Sequence, residues 1–254
     1  MRAILFGAAL VLAACASDDP NPNPPDPTDP GPDDPAPPDQ EARDYDDVAV
    51  SIGAAVYGGE LMSMVDAVTL ATGGIPAGFT QTSAMDVSGT RDGVSIAYNY
   101  YCVDDNDVPI ASCGTFANHM HMHFTMSGAL SSPMALDAVD QTGKWTVRDI
   151  EVGKPRVGGD SAMTYVTHID GISTYDLAYD ATLDHVRFAP GAVLPYEGTI
   201  TSTVAVHRTR DGAGERNFAV TATIVFSSGT TATITLDSTI NYSLDLTTGA
   251  VVKL

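Results

Sequence analysis

From about Ser88 to the C-terminus, apolar side chains recur at every second position, and this period limits the available folds more than any other feature. "STYDLAYDATL" sets Tyr175, Leu177, Tyr179, Ala181 and Leu183 against Thr174, Asp176, Asp180 and Thr182. Successive strand residues point to opposite faces, so such a segment buries one face and wets the other. The pattern returns at Ile200, Val204 and Val206, at Phe218, Val220, Ala222, Ile224 and Phe226, and at Ala232, Ile234 and Leu236. "DGAGE", "SSG" and "TTG" separate these runs as turns, and such short connections make hairpins rather than crossovers. The expected class is mainly β: one large antiparallel meander sheet, open or half-closed.

Before the strands, two short helices are expected to pack on the sheet's apolar face. Asp46 or Asp47 caps the first, which carries Val48, Ile52, Ala55 and Val56 at helical spacing and ends at Gly58-Gly59. The second places Leu61, Met64, Val65 and Val68 on one side and stops at Gly73-Gly74, with Pro76 beyond.

Upstream of the helices, Ala16 to Asp47 is almost entirely Pro, Asp, Asn and small residues. Such a segment has little apolar surface to bury, and its prolines remove backbone donors, so an extended acidic stalk over residues 15–47 is expected. In the polyproline II form some thirty residues reach about 90–100 Å. Eleven acidic residues against Arg43 put half of the formal net charge of -20 in this stretch. An acidic chain of this kind repels phosphate backbones, which argues against nucleic acid as a partner.

The first fourteen residues have the form of an export signal, with Arg2, then an apolar run from Ala3 to Leu12, then small residues. Its end, Leu12-Ala13-Ala14-Cys15, closely resembles the lipobox of bacterial lipoprotein precursors. The resemblance covers about fifteen residues. It implies cleavage before Cys15, a diacylglycerol on its thiol, and attachment to a membrane through that lipid. Two or three acyl chains hold a protein durably at a bilayer. In the sorting rule of that family, Ala16 and Ser17 after the cysteine, in place of Asp, favour the outer membrane. Residues 48–254 then form a single β-rich domain carried by the stalk.

With Cys15 assigned to lipid, Cys102 and Cys113 remain as a pair in an oxidising compartment. They flank "VDDNDVPIAS", and closing a loop of that length stabilises by about 3 kcal/mol in the chain-entropy model. The "DDND" within it reads as a solvated turn, since it lacks the ligand spacing of an EF-hand.

"NHMHMHF" is the densest cluster of chemically active side chains. On a strand from Thr115 to Gly128, Phe116, Met120, Met122, Phe124 and Met126 share the core face, and His119, His121 and His123 share the other. Strand residues two apart lie roughly 6.6 Å from each other, so the outer two histidines are about 13 Å apart. Three of them cannot close a tetrahedral site alone. Three readings stand: a merely polar face, a zinc or copper site completed from a neighbouring strand by His168, His185, His207 or an Asp, or a proton-sensitive binding surface, since three imidazoles together gain charge near pH 6. "GGDSAM" around Ser161 lacks the last glycine of a serine-protease motif, and no phosphate loop, GxSxG or HExxH is present. The expected function is a lipid-anchored envelope protein with a non-enzymatic structural or binding role. The alternative is a metal-binding protein or metal-dependent hydrolase built on the histidine row.

Overall fold

The computed structural model describes residues 38–254, with 115 and 228 excepted; the expected export signal, the lipobox-like motif with Cys15 and most of the expected acidic stalk lie outside them. Thirteen strands form one antiparallel sheet: β1 (Phe79–Ser83), β2 (Asp86–Arg91), β3 (Val94–Val103), β4 (Pro109–Ile110), β5 (His119–Leu130), β6 (Leu136–Arg148), β7 (Arg156–Ile169), β8 (Ser173–Phe188), β9 (Pro195–Arg210), β10 (Gly214–Phe226), β11 (Thr231–Leu236), β12 (Ile240–Asp245) and β13 (Val251–Lys253). Each pairs with the next in the chain, except that β4 is a short excursion on β3 and β5 takes its place in the order. The sheet does not close, and β1 and β13 are its edges.

Alternation selects the core as expected. Tyr175, Leu177, Tyr179, Ala181 and Leu183 are all buried, as are Met120, Met122, Phe124 and Met126. Phe116 is not: it is 90% exposed, because the strand begins at His119 and the preceding residues form a turn held by Ala117 N–H donating to the Gly114 carbonyl at 3.0 Å. Cys102 and Cys113 are joined as a disulfide that staples the β4 excursion. Alkylation without reduction is therefore expected to leave both unmodified in a mass spectrum, and two labelled thiols would contradict the pairing.

In place of two short helices there is one continuous helix, built from α1 (Pro38–Ala55), a π-helical turn (Val56–Leu61) and α2 (Met62–Ala71). Gly58-Gly59 does not break it. A Cβ on Gly59 would strike the Met163 methyl and lie 3.1 Å from Gln141 Oε1, and one on Gly58 would lie 3.1 Å from Leu130 Cδ1. The glycines let the sheet approach the helix backbone, and burial outweighs their poor helix propensity of about 1 kcal/mol each. Gly73, at φ 85°, ends the helix where expected.

The helix also begins earlier than the composition suggests, so the stalk loses its last ten residues to the domain. Pro38 suits a first helical position and the acidic residues behind it suit a helix N-terminus. Their charge is met by the sheet. Asp44 faces Arg208, Arg210 and Arg216; Asp47 faces Arg210; Asp46 faces Lys253; Glu41 faces Arg216.

Contacts along the helix show how it lies. Asp44 reaches Tyr175 of β8 and the β9 and β10 arginines; Glu60 reaches β6 and β7; Asp66 reaches Arg91 of β2 and Tyr98 of β3. The helix thus crosses the strands. Its 32 residues from Gln40 to Ala71 span about 48 Å, the width of about ten strands at roughly 4.8 Å each. Ser51 to Val56 are six consecutive buried residues, so the helix is covered on all sides there, by strands and by the connections around Ser132 and Gly249. By length and composition this helix could cross a membrane, but 78% of its most apolar window is buried inside the domain, where it forms the core.

Candidate functional site

A row of small inward residues marks where helix and sheet come closest. Gly143, Ser161, Ala181, Ser202 and Ala222 are directly opposite one another across β6 to β10. Glu60, fully buried in the π-helical turn, sits over this row. Its Oε1 accepts hydrogen bonds from Gln141 Nε2 at 3.0 Å and Ser161 Oγ at 2.5 Å, while Oε2 has no partner. Burial pushes its carboxyl up to about 7, against the smaller opposing effect of the two donors. Tyr165 and Tyr179 are pushed up as well, both chiefly by burial. Ser161 therefore serves a buried carboxylate, and the partner it donates to is not a histidine base. A signal for this cluster exists in the sequence: Glu60 stands alone in the apolar stretch between Val48 and Met64, where an unpaired charge needs buried partners. Splitting the helix at Gly58-Gly59 hides it.

On the opposite side of the sheet the same level forms a trough of about 1160 Å³. Two outward rows wall it. One runs His123, Lys144, Asp160, Thr182, Thr201 and Thr223; the other runs Thr125, Thr142, Ala162, Asp180, Thr203 and Thr221. The backbone of the small-residue row is its floor. Hydroxyls predominate along the walls, with Lys144, Asp160 and Asp180 among them and Asp86 at the β2 end, so the trough offers hydrogen bonds along its length and a modest excess of negative charge.

The histidine row divides three ways. His123 is exposed and faces Asn99 and Lys144 on the neighbouring strands. His121 is half-buried, its Nδ1 3.3 Å from Thr146 Oγ1 and its ring 5.0 Å from that of Tyr101. Burial, and then the neighbouring His119 and Arg148, hold its imidazole below the usual histidine range. His119 is buried, with Nε2 3.6 Å from Asp107 Oδ1 and its ring 4.9 Å from that of His121. The other histidines are engaged elsewhere: His168 with Thr174, His185 with Asp184, and His207 with Asp176 and Glu215.

Among the described residues no group of three histidine, cysteine or carboxylate side chains is placed to hold a metal ion. The zinc or copper reading of His119, His121 and His123 thus lacks its third ligand. The strands beside β5 supply Tyr101, Asn99, Thr146 and Lys144 in register, and Arg148 adds positive charge where a cation would sit. In the "DDND" turn Asp104 Oδ1 accepts from the amides of Asn106 at 2.9 Å and Val108 at 3.0 Å, the role expected of a solvated turn. Comparison of the chain with protein-family models, curated proteins and solved structures finds no match.

Proposed function

We propose that this protein is a lipid-anchored component of a bacterial envelope, held at the outer membrane, whose domain has a non-enzymatic binding role. The observation that carries the anchoring is the use of its three cysteines. Cys102 and Cys113 are tied to each other, which suits an oxidising compartment, and Cys15 stands alone behind Leu12-Ala13-Ala14. The binding role falls to the outer face. A curled sheet without a helix could hold a ligand in its hollow, but here the helix occupies that space and the trough of about 1160 Å³ opens outward.

Metabolic labelling with palmitate tests the anchor. The chain is expected to carry label and to fractionate with outer membranes, and Cys15→Ser is expected to release it unlabelled into the soluble fraction. Retention of the variant in the membrane would overturn the proposal.

A further inference from the structure

Three arginines stand directly opposite one another on adjacent strands: Arg148 of β6 pairs with Arg156 of β7, which pairs with Arg187 of β8. Their chain neighbours Val147, Val157 and Val186 are fully buried, so all three arginines point to the outer face. Like charges directly opposed on a sheet destabilise it. In a chain with only 12 Lys and Arg against 32 Asp and Glu, such a row runs against composition.

The other sheet arginines show what compensation looks like here. Arg91, Arg208, Arg210 and Arg216 each lie within ion-pair distance of a helix carboxylate. The row has less. Asp149 is shared between Arg156, at 3.0 Å, and Arg187, at 3.5 Å, and Glu197 lies 3.6 Å from Arg187. Arg148 is exposed and has no carboxylate within ion-pair distance among the described residues.

A cavity of about 300 Å³ opens beside this row, bounded by Arg148, Arg156, Thr146, His185 and Asp184. Its floor is Gly158 and Gly159. A Cβ on Gly158 would meet nothing closer than the Leu183 carbonyl oxygen at 3.4 Å, so the space above it is open. The one carboxylate in the wall, Asp184, is in contact with His185.

We propose that this cavity is a binding site for a phosphate group, held by Arg148 and Arg156 with Thr146 and His185 at its sides. Guanidinium forks match phosphate oxygens two at a time, and an anion between the arginines replaces their repulsion by attraction. The volume accommodates the phosphate together with part of the molecule that carries it. The site is separate from the trough and does not depend on the lipid anchor.

The test uses the full chain carrying Cys15→Ser, with inorganic phosphate as the probe and chloride balancing ionic strength. Phosphate is expected to raise the melting temperature saturably and to bind in calorimetry. Arg148→Ala is expected to weaken that binding at least tenfold without lowering the melting temperature of the free protein. Arg43→Ala, on the exposed face of the helix, is the control expected to leave binding unchanged. Sedimentation with phosphatidylglycerol vesicles separates the sources: vesicle binding that inorganic phosphate displaces identifies a lipid headgroup, and phosphate binding without vesicle binding identifies a soluble phosphate compound. Phosphate that acts no differently from chloride, or a response that survives Arg148→Ala, would overturn the site.

Discussion

Asp44→Ala is expected to cost about 3–5 kcal/mol of folding stability, the loss typical when one partner of a buried ion pair is removed. Asp44 is fully buried, with Arg216 at 3.0 Å and Arg208 and Arg210 each at 3.4 Å, and it accepts a hydrogen bond from the Tyr175 hydroxyl at 3.2 Å. Arg210 keeps Asp47 at 2.7 Å, but Arg208 loses its only carboxylate within ion-pair distance among the described residues while its side chain remains 2% exposed. An uncompensated guanidinium in that position is the source of the penalty. For a domain of this size the loss lowers the melting temperature by about 10 °C. Asp44→Asn keeps the shape but not the charge and is expected to recover little of it. Urea denaturation decides the matter, and a loss below 1 kcal/mol for both variants would mean that solvent reaches the network.

Glu60→Gln is expected to act in the opposite direction, by an amount that grows as the pH rises above about 4.5. The folded carboxyl holds its proton up to about 7, whereas an exposed glutamate releases it near 4.5. Between those values the folded state binds more protons than the unfolded one, so this group's contribution makes stability fall as pH rises from about 4.5 to about 7. The displacement from 4.5 to about 7 corresponds to about 3 kcal/mol. Glutamine keeps an acceptor for Gln141 and Ser161 and cannot ionise. The variant is therefore expected to match the parent near pH 4.5 and to exceed it by about 3 kcal/mol at pH 8. Denaturation of both proteins across this range isolates the effect, since every other titrating group is common to the two. A difference that does not change with pH would show that Glu60 is not the buried acid described.

Both residues belong to one helix that crosses the sheet, and the strands met at each point along it account for their different behaviour. At the N-terminal end the sheet provides arginines, so Asp44 is buried as a charge. At the π-helical turn it provides only Gln141 and Ser161, so Glu60 is buried as an acid that resists ionisation.

Much of the architecture was legible from short-range pattern. Alternation at Tyr175 to Leu183 and at Met120 to Met126 assigned the core face correctly, because side-chain direction in a strand depends only on position along that strand. Turn residues placed the hairpins, and hence the meander, for the same local reason. The lipobox resemblance and the cysteine count are likewise properties of the chain that need no neighbours.

Where these readings failed, a distant partner had changed the outcome. Gly58-Gly59 reads as a helix stop until Met163 and Leu130 arrive against it, and Asp44, Asp46 and Asp47 read as stalk until arginines and a lysine some 160 to 210 residues away neutralise them. Phe116 was assigned to the core by extending a period past the point where the strand begins. The histidine row was correctly placed on β5, but whether it could bind metal depended on what β3 and β6 set beside it. The arginine row could not be read at all, since Arg148, Arg156 and Arg187 are neighbours only through the register of three strands. Sequence determined which side of each strand is dry, because that is written in a two-residue period. Tertiary structure alone decided which charges meet, because register and helix placement bring together residues that no local pattern connects.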